Sequence, residues 1–255
     1  MKWVVFNQKG GVGKSTICTN LAAVSANLGY KTLLVDLDAQ GNSTFYSGFV
    51  PDNEESLTVA DMFKQVVGWF STPNPPEAYT HPTAVENMSV LPASPALNDM
   101  ERELESRYKM FKLRDTLKEL DTFEHIFIDT PPNFNFYTKA ALIAADAFIV
   151  PVDCDDFSVQ AVSRLLDNVM ELKSDHNPNL DFAGIVINQF STQAKYPKKL
   201  IESLEAQNLP LFETRINSAI KVKESHAEAL PLVVGYPKHK VSVQLNTLFE
   251  ELVSE

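Results

Sequence analysis

Short apolar runs alternate with segments of helical periodicity along this 255-residue chain. Each apolar run is bounded by polar or turn-forming residues, as expected for the buried strands of a parallel sheet. Strands are predicted at 3–6, 32–35, 88–91, 125–128, 147–152 and 183–187. Helices are predicted at 17–28, 57–67, 157–172, 197–207 and 241–252, and two charged helices between 97 and 120.

The alternation of strands and helices predicts an α/β fold with a mostly parallel twisted sheet and helices on both faces. Residues 71–82 contain four prolines and are interpreted as a surface loop, a spacer without chemistry. No repeat, low-complexity tract or compositional break divides the chain. A single domain is therefore expected over residues 1–255.

The segment Lys9-Gly10-Gly11-Val12-Gly13-Lys14-Ser15-Thr16 joins the first predicted strand to the first predicted helix. A glycine-rich turn in this place favours phosphate binding, because its N–H groups and the positive end of the helix face the anion. Lys14 is then expected to reach the β- and γ-phosphates, and Ser15 to bind Mg²⁺. The ordinary G-x-x-x-x-G-K-[ST] pattern is not met, since Gln8 replaces its first glycine and Lys9 is a second lysine. A glycine-rich turn with incidental lysines is the alternative.

Further polar residues follow other predicted strands, at the sheet edge where open α/β proteins bind ligands. Asp36 and Asp38 follow the second strand, Asp129 ends the fourth, and Asn188 ends the sixth. Taken alone, the carboxylates have an alternative interpretation as a solvated turn, and Asn188 as a turn-forming residue. Together with the glycine-rich segment they predict a nucleotide and magnesium site.

The glycine-rich segment resembles K-G-G-x-G-K-[ST], the deviant Walker A motif of the ParA/MinD family of partition and positioning ATPases. The resemblance spans nearly the whole chain and is strongest over residues 3–47 and 124–152. It implies a P-loop NTPase fold, ATP and Mg²⁺ as cofactors, and an ATPase that is weak alone and stimulated by a partner. It covers the ATPase domain only, so no separate helix-turn-helix domain is expected.

The resemblance also implies roles for single residues. Lys9 is expected to cross the interface of an ATP-state homodimer to the other subunit's nucleotide, as an arginine finger does, and to act in catalysis with Lys14 and Asp38. Residues 36–42 resemble switch I, D-x-D-x-Q-G-N, and residues 129–132 resemble switch II, D-x-P-P. The implied switch residues are Asp36, Gln40, Gly41, Asn42, Thr130, Pro131 and Pro132. The implied metal site is Ser15, Asp38 and Asp129, with Asp38 also orienting the attacking water.

The implied nucleotide-binding residues are Lys9, Gly10, Gly11, Val12, Gly13, Lys14, Ser15, Thr16 and Asn188, the last at the adenine edge. Residues 216–225 align with the family's I-P-R-N-V-R-L-S-E-A stretch but lack its Pro-Arg-Asn. After the fifth strand, Asp155 is a candidate residue of the dimer interface.

Charge is unevenly distributed along the chain. The net charge is −11, yet residues 191–240 carry +3, which leaves −14 on the remainder. The candidate DNA-binding residues in this segment are Lys195, Lys198, Lys199, Lys221 and Lys223. From the residues alone an ordinary solvated face is the favoured interpretation. The family resemblance implies non-specific DNA binding instead, through lysine–phosphate contacts that need no base sequence.

Two other functions compete with a DNA-bound partition ATPase. A MinD-like membrane cycle would use a basic amphipathic C-terminal helix, but the polar side of residues 243–255 is acidic, and packing onto the domain is expected instead. The second competing function is that of a metabolic or electron-transfer relative with the same fold. An iron–sulfur type would need cluster cysteines, and the two cysteines, Cys18 and Cys154, lack C-x-x-C spacing.

The expected location is the cytoplasm, because neither a signal peptide nor a run of about 18 apolar residues is seen. Association with the nucleoid is what the resemblance implies, through non-specific DNA binding. The expected partners are a second copy of the chain, non-specific DNA and a ParB-like or cargo-adaptor protein. No membrane partner is expected. The cargo itself cannot be read from the residues, because the partner selects it.

Overall fold

A computed structural model describes residues 1–51, 56–66, 72–153, 159–190 and 196–254, with the backbone alone described at 159 and 196–199. The strands in these residues are β1 (Lys2–Val5), β2 (Thr32–Asp36), β3 (His81–Pro82), β4 (Met88–Leu91), β5 (His125–Asp129), β6 (Ala147–Asp153) and β7 (Asp181–Asn188). They form one sheet in the order β3-β4-β2-β5-β1-β6-β7. Every neighbouring pair is parallel except β3 and β4.

Helices cover both faces of this sheet. They are α1 (Lys14–Asn27), α2 (Asn42–Tyr46), α3 (Val59–Lys64), α4 (Leu97–Ser106), α5 (Lys112–Glu119), α6 (Phe136–Ala144), α7 (Val159–His176), α8 (Tyr196–Glu205), α9 (Ile220–Ala227), α10 (Leu232–Gly235) and α11 (Lys240–Ser254). Alternate residues of β1 enter different cores: Val4 packs in the core that contains α6, and Val5 in the core that contains α1 and α11. The predicted fold class is confirmed.

The strand order brings the polar strand ends together. Asp129 is in register with both Val5 and Asp36, and Asp153 is in register with Asn188. Because β1 lies between β5 and β6, the loop that follows β1 is flanked by both pairs. This edge of the sheet carries the candidate site.

The interpretation of residues 71–82 as a surface loop is wrong over half of its length. Pro76–Tyr79 forms a 3₁₀ helix, and His81–Pro82 pairs with β4 as an edge strand. Tyr79 is buried and anchors the segment, while Pro82 is tolerated because an edge strand leaves one side unpaired. Ser71 lies outside the described residues.

Several helices differ from the prediction. The helix at 57–67 is only α3, where Thr58 and Asp61 form a capping box; Val67 lies outside the described residues. The predicted start of α7 at Phe157 also lies outside them. α6 was not predicted, because nearly every one of its residues is buried and the sequence has no polar face to reveal it. Three further helices without a prediction, α2, α9 and α10, have four to eight residues.

The C-terminal helix α11 packs onto the domain, as expected. Leu245, Leu248 and Phe249 are buried in the core shared with α1. The Glu251 carboxylate accepts hydrogen bonds from the Glu213 N–H at 2.9 Å and from the Thr214 N–H at 3.1 Å. Within the described residues, no helix has both the length and the apolar character needed to span a membrane.

Candidate functional site

The phosphate loop (residues 9–16) turns the chain from β1 into α1. Gly13 has φ +88° and caps α1, whose first hydrogen bond runs from the Ile17 N–H to the Gly13 carbonyl at 2.9 Å. A Cβ at Gly13 would lie 2.1 Å from Nδ2 of Asn188. Both the left-handed conformation and this close approach require glycine.

Lys14 lies in the mouth of the phosphate loop. Its side chain is buried, and its ammonium donates a hydrogen bond to the Lys9 carbonyl at 3.0 Å. Burial lowers the pKa of Lys14, an effect that the nearby Asp129 and Asp38 carboxylates oppose. An anion brought to the loop would therefore meet a cation that little water screens.

Two buried carboxylates lie side by side below the loop. Burial, and next the charge of Asp129, raise the pKa of Asp36 to about 7. Burial raises the pKa of Asp129 to about 6, against hydrogen bonds from Ser15 and Ser43 that lower it. The Ser43 hydroxyl donates to Asp129 at 2.7 Å. Hard oxygen donors in this arrangement suit a Mg²⁺ ion.

Asp36 fixes the segment that follows β2. Its Oδ2 accepts hydrogen bonds from the N–H and the hydroxyl of Thr44, at 2.7 and 2.8 Å, and its Oδ1 accepts one from the Asp38 N–H at 3.1 Å. The Thr44 Oγ1 in turn accepts from the Ala93 N–H at 2.9 Å. Asp36 thus holds the turn after β2 and the start of α2 in place.

Replacement of Thr44 by valine is expected to lower the free energy of unfolding by about 1–3 kcal/mol, because a buried carboxylate and the Ala93 N–H each lose a partner. Denaturant unfolding measures the change. Thr44→Ser keeps the hydroxyl and is the matched control, expected to stay close to wild type. Equal stability of the valine and serine variants would contradict this role.

A cavity of about 680 Å³, the loop cavity, opens above the phosphate loop. Its polar end is lined by the loop together with Asp38, Gln40 and Asn42. The apolar lining residues Ile17, Ile216, Val222, Val241 and Leu245 all pack with the core that contains α1 and α11, and this side of the cavity is called its apolar end. A cavity with an anion-binding end and an apolar end matches a nucleotide, whose phosphates and base need those two environments.

The structure gathers most of the predicted site residues at this cavity. Those that line it are Gly10, Gly11, Gly13, Lys14, Ser15, Thr16, Asp38, Gln40, Asn42, Pro132, Asn188 and Lys223. Those set back from its lining are Lys9, Val12, Asp36, Gly41, Asp129, Thr130, Pro131 and Lys221. Thr130 is buried, and its hydroxyl donates to the Val5 carbonyl at 2.9 Å, which ties β5 to β1.

Asn188 and its neighbour Gln189 hold the phosphate loop from the side of β7. Asn188 Nδ2 donates to the Val12 carbonyl at 2.8 Å, and Gln189 Nε2 donates to the Gly11 carbonyl at 2.8 Å. The predicted adenine contact of Asn188 stays a prediction. Gln189 was missed, and its only signal in the sequence is its place directly after a polar strand end.

Lys9 is directed to the end of β6. Its ammonium lies 2.9 Å from Oδ1 of Asp153, a residue the sequence analysis missed. The Lys9 side chain is one-third exposed (34%), whereas Asp153 is largely buried. The candidate interface residue Asp155 and its neighbour Cys154 lie outside the described residues.

Of the candidate DNA-binding lysines, Lys221 and Lys223 have side chains in the described part of the chain. Lys195 lies outside the described residues, as do the side chains of Lys198 and Lys199. Lys221 pairs with Glu224 and lies over the Tyr236 ring, 4.4 Å from its centroid, while Lys223 lines the loop cavity.

Comparisons with known proteins show which family the chain resembles over nearly its whole length. A family model described as an AAA domain matches residues 2–182. The chromosome partitioning protein ParA of Myxococcus xanthus is 31% identical over 252 residues, which cover 98% of this chain and 86% of that protein. The chromosome-partitioning ATPase Soj of Treponema pallidum is 32% identical over 235 residues, covering 91% and 88%. Cobyrinic acid a,c-diamide synthase of Mycobacterium smegmatis, solved with a bound ATP analog and magnesium, has a TM-score of 0.83 at 26% identity, covering 99% and 93%.

A phosphate loop between β1 and α1, with carboxylates at the ends of neighbouring strands, defines a P-loop nucleotide-binding α/β protein. The chain belongs to the family of P-loop ATPases that includes the ParA and Soj partitioning proteins. The predicted family and the predicted ATPase class are confirmed.

Proposed function

We propose that this chain is a partition or positioning ATPase that works as a nucleotide-controlled dimer. It binds ATP with Mg²⁺, closes into a homodimer around two nucleotides, and in that state binds DNA of the nucleoid without sequence preference. A ParB-like or cargo-adaptor protein then stimulates its weak hydrolysis and releases the DNA. The cargo is a plasmid, a chromosome region or a protein assembly. Relatives named as partitioning proteins over nearly the full chain support this proposal.

The direction of Lys9 carries the proposal. Lys14 already serves the loop cavity of its own chain, whereas Lys9 is set back from the lining and its ammonium is held by Asp153. A partly exposed lysine beside a phosphate site, but directed away from it, fits a group that acts on a second molecule's nucleotide. There it would stabilise the charge that develops in phosphoryl transfer.

The residues at the polar end of the loop cavity fit Mg²⁺ and ATP. Ser15 and Asp129, which hydrogen-bond to each other, and Asp38, which lines the cavity, would hold the ion directly or through water. Held there, the ion would supply positive charge to offset that of the nucleotide phosphates. Asp38 orients the attacking water, and Lys14 draws charge from the γ-phosphate. The apolar end takes the adenine, with Asn188 at its edge.

DNA binding is assigned to the lysines of α8 and α9. Residues 191–240 carry a net charge of +3 in a chain of −11, and a dimer presents the segment twice. Every lysine–phosphate contact releases counterions, so doubling the number of contacts raises the affinity for DNA and makes it fall more steeply with salt concentration. This explains how ATP-driven dimerisation would switch DNA binding on.

Substitution of Lys198, Lys199 and Lys221 by glutamate is expected to abolish ATP-dependent DNA binding while leaving ATP binding intact. Lys223 is left unchanged because it lines the loop cavity. Retention of labelled duplexes of two unrelated sequences is measured with an ATP analog, with ADP and without nucleotide, at about 50 mM and about 200 mM salt. Wild type should bind both duplexes equally, only with the analog, and more weakly at the higher salt.

The matched control replaces Lys31, Lys64 and Lys118, three exposed lysines outside α8 and α9, by glutamate. It changes the net charge by the same amount, so it separates a local surface from overall charge. Unchanged DNA binding in the α8–α9 variant, or equal loss in both variants, would remove the assignment of these lysines.

A MinD-like membrane cycle is the second candidate. The packing of α11 onto the domain speaks against it, because the apolar face that would enter a lipid surface is buried. Co-sedimentation with anionic liposomes that depends on ATP would reverse this preference.

A further inference from the structure

His226 of α9 contacts the phosphate loop from across the fold. Its Nε2 lies 2.9 Å from the hydroxyl oxygen of Thr16, although the two residues are 210 positions apart in the chain. Both side chains line the loop cavity. The proposed function gives His226 no part, and no pattern in the sequence marks it.

His226 is held in place by a ring stack. Its imidazole lies against the Tyr46 ring with a centroid separation of 3.6 Å and an interplanar angle of 14°. The stack sets the ring plane, and the contact with Thr16 then sets the direction of Nε2. Burial lowers the pKa of His226, so the neutral ring, with one donor and one acceptor nitrogen, is favoured.

Tyr46 is fixed in turn by a complete set of hydrogen bonds. Its hydroxyl accepts from Asn20 Nδ2 at 3.1 Å and from the Leu232 N–H at 3.0 Å. With both acceptor sites used, its proton is donated to Ser225 Oγ at 2.8 Å. Asn20 Nδ2 also donates to the Thr16 carbonyl at 2.8 Å. The Tyr46 side chain that supports His226 is therefore buried and has all the hydrogen bonds of its hydroxyl made. It is linked through Asn20 to the turn of α1 that contains Thr16.

The position of the Thr16–His226 pair indicates which group of a bound nucleotide it would contact. Thr16 follows Ser15 in the first turn of α1, and His226 lies one helical turn after Val222, which lines the apolar end. In chain order, Thr16 therefore stands between Ser15, which the proposed function assigns to the terminal phosphates and Mg²⁺, and Ile17, which lines the apolar end. In a nucleotide, the group at that place is the phosphate attached to the nucleoside.

We propose that His226 is a positioning residue for the α-phosphate and acts through the Thr16 hydroxyl. With its proton on Nε2, His226 donates to Thr16 Oγ1 and leaves the Thr16 proton to be donated to a phosphate oxygen. This inference rests on the proposed function in placing the nucleotide in the loop cavity.

The test compares affinities for AMP, ADP and an ATP analog by titration calorimetry. His226→Phe keeps the ring stack on Tyr46 and removes the nitrogen that contacts Thr16. We expect this variant to bind all three nucleotides about tenfold more weakly, because all three share the α-phosphate, and to keep the kcat of ATP hydrolysis within about twofold of wild type. Thr16→Val should weaken binding to the same extent, and the double variant no further than either single one. Thr16→Ser, which keeps the hydroxyl, should bind like wild type.

Three outcomes would overturn the inference: wild-type affinity in His226→Phe, additive losses in the double variant, or a loss confined to the ATP analog. Failure of the proposed function looks different, since wild type itself would then bind neither ADP nor the analog. Denaturant unfolding of each variant is run in parallel. If His226→Phe does not fold, the comparison of Thr16→Val with Thr16→Ser across the three nucleotides carries the test, and equal affinities of these two variants would reject the inference.

Discussion

Replacement of Lys9 by alanine is expected to lower the rate of ATP hydrolysis by about 10²- to 10³-fold and to leave ADP binding by the monomer within about threefold of wild type. The difference between the effect on hydrolysis and the effect on ADP binding follows from the position of Lys9. Lys9 is set back from the loop cavity of its own chain and pairs with Asp153, so its loss removes a partly exposed ion pair but no contact to the chain's own nucleotide. In the dimer the same loss removes a cation from the other subunit's reaction site.

Single-turnover hydrolysis of labelled ATP measures the first effect, and titration with ADP measures the second. Lys2→Ala is the matched control, because Lys2 pairs with Asp146 at 3.3 Å at the opposite end of β1. That variant should hydrolyse ATP like wild type. A loss of ADP affinity in Lys9→Ala as large as that in Lys14→Ala would show that Lys9 serves its own nucleotide.

Replacement of Gly13 by alanine is expected to weaken ADP binding by about 100-fold or more. The new Cβ would lie 2.1 Å from Asn188 Nδ2. The backbone φ of +88° at this position is one that residues other than glycine rarely adopt. The loop must shift to relieve this contact, and its N–H groups then no longer point at one phosphate position. Calorimetric titration with ADP and Mg²⁺ measures the effect.

Gly29 offers a control with the same backbone conformation and no crowding. Its φ is +94°, and a Cβ there would meet no atom within 4 Å. Gly29→Ala should therefore lose about 1 kcal/mol of stability and keep its ADP affinity. Removal of the Asn188 amide in Gly13→Ala/Asn188→Ala should restore part of the affinity. Normal ADP binding by Gly13→Ala would contradict the assignment of the loop.

The phosphate loop and the strand ends could be predicted from sequence because their signals are local. The loop is one continuous segment, and Asp36, Asp129 and Asn188 each follow an apolar run. Parallel pairing then brings the carboxyl ends of those strands to one edge, so their approach follows from the fold class. Knowledge of the fold was enough to place these residues at one site.

Other parts of the site depend on contacts that leave no local pattern. Asp153 and Lys9 are 144 positions apart, and His226 and Thr16 are 210 positions apart. Lys221 and Lys223 look alike in the sequence, yet one pairs with Glu224 and the other lines the loop cavity. These assignments needed tertiary structure, because a charge pattern does not tell which element covers a side chain.

Light scattering of the wild-type protein tests the nucleotide-controlled dimer most directly. The mass is measured with Mg²⁺ and a nonhydrolysable ATP analog, with ADP, and without nucleotide. We expect twice the monomer mass with the analog and the monomer mass in the other two conditions. A protein that stays monomeric with the analog bound would contradict the proposal that Lys9 completes a site on a second chain.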